Sequence, residues 1–162
     1  MSWWYEIKKA VQSRLTGDTT LTGLLSATNP IVDEIGTPET ASMYPYLVRH
    51  WHDAAVDDTF SMSHFEQRFD VQARLGAKQS YGVSSSPMNR LDAILKRVVG
   101  DWEEQSSHSA SYGLHRWSPG SLGSTGYTAV DCRLVGGPST VQEDNVLGVA
   151  VTFAVNVYKA GA

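Results

Sequence analysis

The segment "HFEQRFDVQARLG", residues 64 to 76, alternates between two kinds of side chain without a break. Phe65, Gln67, Phe69, Val71, Ala73 and Leu75 take one set of positions; Glu66, Arg68, Asp70, Gln72 and Arg74 take the other. A strand turns successive side chains to opposite sides, so this stretch is a strand with one face built for a core. Its second face is a row of mixed charge, which meets either water or another protein.

The flanking sequence supplies the partners such a strand needs. "SWWYEIKKAVQSRL" spaces Trp4, Ile7, Val11 and Leu15 as one face of a helix, with Ser2 as N-cap and Gly17 as stop. Asp18 is placed to cap a second, short helix carrying Leu21, Leu24 and Leu25 before "ATNP" ends helical structure. "IVDEIG" reads as a short strand, and "YPYLVRHW" as another with Pro45 at its start or on an edge. "DAAVDDTFSMS" reads as the connection of a hairpin.

After the alternating strand, Ser86 caps a helix with Pro87 at its first position, and Gly100 ends it. Its apolar face is Met88, Leu91, Ile94, Leu95, Val98 and Val99. Residues 101–126 are rich in Ser and Gly, lack any period, and read as a long loop carrying Trp102, Tyr112 and Trp117. Two strands close the chain. "YTAVDCRLVG" sets Ala129 opposite Val130, Cys132 and Leu134, and "NVLGVAVTFAVNVYK" puts Val149, Val151, Phe153, Val155 and Val157 on one face. The expected fold is therefore α+β, one domain over 1–162, with two main helices packed on one face of a mostly antiparallel β-sheet.

Composition narrows the function. A net charge of −4 and no basic run disfavour a protein that works by neutralising nucleic-acid phosphates. A single cysteine, Cys132, excludes an internal disulfide framework and any multi-cysteine zinc site. No run of 18 apolar residues is present, and "MSWWYEIKK" lacks the parts of a signal peptide.

Chemistry-bearing motifs are few. His50 and His52 lie two apart on an expected strand, so both project from one face, with Asp53 beside them. That pair could begin a zinc site of three or four ligands and so a small metal-dependent hydrolase, but His64, His108 and His115 supply no obvious third ligand. No G-x-S-x-G elbow is present, and "GSLGSTG" lacks the lysine of a phosphate-binding loop. The adjacent acids Asp57–Asp58 and Glu103–Glu104 point apart in extended chain. No cofactor is implied.

The order of these segments resembles the tail terminator (tail completion, or minor tail) proteins of long-tailed bacteriophages. The likeness runs from about residue 5 to 158 through "AVQSRLTGDTTLTGLL", "IVDEIG", "MYPYLVRHW", "HFEQRFDVQARLG", "MNRLDAILKRVV" and "AVTFAVNVY". Residues 101–126 depart from it, because relatives commonly use a shorter connection there. The resemblance implies a non-enzymatic virion protein, made in the host cytoplasm and placed at the head-proximal end of the tail. Six copies would ring the end of the tail tube, stop its polymerisation and face the head's connector. DNA would pass through the channel without sequence-specific binding, and no membrane is involved. A head–tail adaptor of the neck is the neighbouring alternative. Mixed charge suits ring contacts because it sets register and rejects wrong partners. The interface candidates are Arg49, His50, Trp51, His52, Glu66, Arg68, Asp70, Arg74, Trp102, Tyr112 and Trp117.

Overall fold

The computed structural model describes residues 2–26, 30–33, 43–57, 64–76, 86–100, 112–143 and 145–159. Trp102, His108, Asp58 and the Glu103–Glu104 pair lie outside these residues. The described elements are α1 (Trp3–Thr16), α2 (Thr19–Leu24), β1 (Ile31–Asp33), β2 (Tyr46–Trp51), β3 (Ala55–Asp57), β4 (His64–Gly76), α3 (Pro87–Val99), β5 (Gly120–Ser121), β6 (Tyr127–Glu143) and β7 (Val146–Lys159). The α+β expectation holds. The strands form one sheet in the order β1-β2-β4-β7-β6-β5, with β3 also on β4. β1 joins β2 in parallel and every other pairing is antiparallel.

β4 is the spine of this sheet. It pairs with β7 over its whole length, from His64↔Tyr158 to Gly76↔Val146, with no break in register. Its alternation does what the sequence predicts. Phe69, Val71, Ala73 and Leu75 are buried, and Phe65 packs against the core from a half-buried position. Gln67 is buried among them because its amide donates to the carbonyls of His52 (2.6 Å) and Arg68 (3.0 Å). Val149, Val151, Phe153, Val155 and Val157 of β7 share this core, as do Ile7, Val11, Leu15, Leu91, Ile94, Val98 and Val99 of the helices. Burying each large side chain contributes about 1.5–3 kcal/mol.

Helix ends follow their local signals. The Asp18 carboxylate accepts from the N–H groups of Thr20 (3.1 Å) and Leu21 (3.2 Å), and Ser86 Oγ accepts from Asn89 N–H (3.3 Å). Ser2 occupies the N-cap position of α1 in extended backbone, but its hydroxyl makes no capping bond.

Five details correct the sequence reading. Trp3, not Trp4, turns to the core, because Phe65 (4.7 Å between ring centres) and Tyr127 (6.1 Å) form a slot for it; Trp4 remains 48% exposed. Met88 is 53% exposed in the first turn of α3, a full turn ahead of Leu91, the first residue of that helix to be buried. Ala55–Asp57 is a strand rather than connection, since β4 at His64–Glu66 offers it a free edge. β6 does not alternate strictly. A bulge at Val130 lets Ala129 and Cys132 both point into the core and leaves Val130 exposed, and β6 runs on through Gly136–Pro138 to Glu143. Finally, 112–126 is not plain loop. Leu114 and Leu122 are buried, Gly120–Ser121 pairs with Ala129 and Thr128, and Trp117 bridges Cys132.

Candidate interaction surface

The face of the sheet opposite the core is polar, and cross-strand register says which residues meet there. His50 stands opposite Asp70, and Asp70 opposite Thr152 on the next strand. His52 follows on the same side. Its Nε2 lies 3.0 Å from Asp70 Oδ2, and Thr152 Oγ1 donates to Asp70 Oδ1 at 2.6 Å. A second chain of contacts runs beside the first. His64 stacks on Tyr158 (4.3 Å between rings) and lies 3.3 Å from Asn156 Oδ1; Asn156 Nδ2 donates to Asp131 at 2.8 Å, and Arg133 Nε donates to Asp131 at 2.7 Å. Arg68 Nε donates to Glu66 at 2.6 Å. Paired charges on one open face give a surface of fixed polarity with little net charge, which favours matching over tight, unselective binding.

Four expected residues therefore come together here: His50, His52, Asp70 and Arg68, with Glu66 beside Arg68. Arg74 lies on the same face yet is buried, its Nη2 3.1 Å from Glu143 Oε2 at the end of β6. Arg49 and Trp51 project to the opposite side with Leu47, because β2 alternates as β4 does. There the Arg49 guanidinium donates to Lys8 O (3.1 Å) and pairs with Asp33 (3.0 Å), while Trp51 stacks on Phe69 (4.5 Å) and donates to Asp33 (3.1 Å). Burial lowers the pKa of Arg49, and Asp33 opposes the shift.

Tyr112 and Trp117 also serve their own chain. The Arg97 guanidinium lies 3.4 Å over the Tyr112 ring, and Arg14 lies over the Trp117 ring at 5.6 Å while donating to Gly113 O at 3.0 Å. The sequence reading missed Thr152, Asn156, Asp131 and Arg133. Their signal was present as polar residues at the outward positions of β7 and as a charged pair in β6, but only the pairing of distant strands brings them to Asp70 and His64.

The rings of His50 and His52 are 5.3 Å apart, and Asp53 is exposed beyond the end of β2. Among the described residues no group of three or more His, Cys, Asp and Glu is placed to hold a metal ion. No helix among them is long and apolar enough to cross a membrane.

No protein-family model matches the chain, and no curated protein matches it significantly. Among solved structures it resembles a chain of the virion of a native gene transfer agent (GTA) particle. The two share 15% identity and a TM-score of 0.52, covering 93% of this chain and 92% of that one. The likeness is one of fold. It spans almost the whole of both chains, so it takes in the helices and the sheet together.

Proposed function

We propose that the chain is a structural protein of a phage-like virion and, within it, the tail terminator: a non-enzymatic ring subunit that caps the tail tube and offers a joining surface to the head. The observation that carries this reading is the near-complete overlap of its fold with a chain of a gene transfer agent virion. The order of segments from α1 to β7, similar to that of tail terminators, supports the finer assignment. In this reading α1 and α3 cover one face of the sheet, and the face of Asp70, Arg68 and Asp131 is left to neighbouring subunits or to the channel. The partners are further copies of the chain, the tube protein and the connector.

The test is solution mass by light scattering over a concentration series, with electron microscopy of the same sample. Rings of about six copies that bind tube protein and stop its growth are the expected result. Binding to the connector without binding to the tube would favour a neck adaptor. A monomer at every concentration that neither caps tubes nor binds either partner would overturn the proposal.

A further inference from the structure

The sheet ends differently on its two sides. On one, β1 is outermost and, among the described residues, pairs with β2 alone. On the other, β5 covers only Thr128 and Ala129 of β6, and the bridge from Trp117 reaches Cys132. From Ser139 to Glu143, β6 has β7 on one side and no described strand on the other. Unpaired N–H and C=O groups along such an edge are a template for another strand, and proteins guard against that with bulges, proline and lysine. The guards of β6 all lie upstream: bulges at Val130, at Val135 and between Gly136 and Ser139, with Pro138 in the last. Beyond them the register runs unbroken from Ser139↔Ala150 to Glu143↔Val146, and every side chain but the half-buried Val141 is exposed.

We propose, resting on the ring reading above, that this edge receives β1 of a second copy of the chain, so that one sheet continues into the next. Strand direction permits it. β1 runs with β2, and β2, β4, β7 and β6 alternate, so β1 and β6 run oppositely. Any rotation that carries the sheet onward without reversing its strands sets them antiparallel, the more stable arrangement.

Side chains agree with this pairing. Val32 is in register with Val48, and Val141 with Gly148 opposite Arg74, so both valines lie on the polar face, where directly opposed β-branched residues stabilise a pair. Glu143 is the only charged residue from Leu134 to Glu143, and it is paired with Arg74 of its own chain at 3.1 Å. Beside β1, on the core side, Arg49 is buried and paired with Asp33, and Lys8 stands near them. The Lys8 ammonium lies over the Trp4 and Trp51 rings and has no carboxylate partner among the described residues. The charges of Glu143 and Arg49 are matched within the chain and stand on opposite faces of the sheet, so strand direction and the two valines, rather than charge, select the partner. The two edges differ, so the contact is heterologous, as a closed ring of identical copies requires.

The test is site-directed cross-linking of the full chain. Val32→Cys protein is mixed with Ser139→Cys or Val141→Cys protein under a mild oxidant and separated without reductant. All three positions share one face, and the native Cys132 is fully buried. Opposed Cα atoms in an antiparallel ladder are about 4.5–5.5 Å apart, inside the range of about 4.4–6.8 Å that a disulfide needs. A covalent dimer in one of these mixtures, and none with Met88→Cys on α3, is the expected result. No dimer in either, or as much with Met88→Cys, overturns the proposal. Val141→Lys adds a guarding charge to the edge and is expected to lose the oligomer while its circular dichroism stays that of the parent. Retention of the oligomer by that folded variant equally overturns it. Rings of the unmodified chain without cross-links would sink the edge pairing alone, whereas absence of rings, of capping and of partner binding would sink the terminator reading.

Discussion

Arg97 of α3 grips Asp18 at the start of α2 with two nitrogens, Nη2 to Oδ1 at 2.6 Å and Nε to Oδ2 at 3.0 Å. The same carboxylate caps α2, so one side chain both starts a helix and ties it to another. Burial by itself raises the pKa of Asp18, but hydrogen bonds from Arg97, Leu21 and Thr20, together with the charge of Arg97, outweigh it and hold the carboxyl below its ordinary value.

Asp18→Asn keeps the cap and removes the charge. It is expected to cost about 2 kcal/mol at pH 7. A carboxyl depressed in the folded state contributes fully above its unfolded pKa of about 3.9 and loses that contribution as pH falls through the folded value. The gap between parent and variant in urea denaturation should therefore be constant near neutrality and close as the solution is acidified below about pH 4. A gap that widens in acid would contradict the assignment.

Gly100 and Gly113 meet backbone to backbone where the chain leaves α3 and returns to it. A Cβ on Gly113 would lie 2.5 Å from Gly100 Cα and 2.7 Å from Val99 O, at a φ of +87°. Gly113→Ala is expected to cost more than about 2 kcal/mol. Gly23 in α2 is the contrast, with nothing within 4 Å of an added Cβ. Gly23→Ala should stabilise by about 0.5–1 kcal/mol, and thermal melts of the two variants should move in opposite directions.

Cys132 is fully buried; burial pushes its thiol pKa up, and the charge of Asp131 adds to the shift. The native protein should resist alkylation at pH 8 and react stoichiometrically once denatured, because the thiolate is the nucleophile. Cys132→Ser places a hydroxyl in the same apolar site and is expected to cost about 1–3 kcal/mol.

Arg68 separates folding from assembly. Its side chain is 54% exposed and paired with Glu66, so Arg68→Glu should change stability by less than about 1 kcal/mol. If the polar face is a subunit contact, the same variant loses the oligomer seen by light scattering. An unchanged melt with unchanged assembly would remove Arg68 from the interface.

Much of this fold is readable in local pattern. The faces of β4 and β7 and the caps at Asp18 and Ser86 each depend on residues within a few positions of one another. Three things are not local. Val130 and Val135 look like regular members of an alternating strand until β7 is laid against them. Trp3 and Trp4 are both compatible with the helical face, and the slot between Phe65 and Tyr127, far along the chain, chooses between them. Ala55–Asp57 has too little apolar character to announce a strand and becomes one because β4 overhangs β2. The polar face divides in the same way. Asp70 and Arg68 declare themselves by alternation, whereas Thr152, Asn156 and Asp131 acquire meaning only through register.

β6 takes three more residues than β7 to cover the same rungs. Those three surplus positions are slack in an otherwise fixed length. Removing Val130 or Val135 would leave each remaining pair of β6 and β7 in place, whereas removing one residue from β4 would turn over every side chain beyond it, on both of its neighbours at once. Tolerance to insertion and deletion is thus concentrated in β6, and the chain's history of length change should be written there and almost nowhere in the thirteen rungs of β4 and β7.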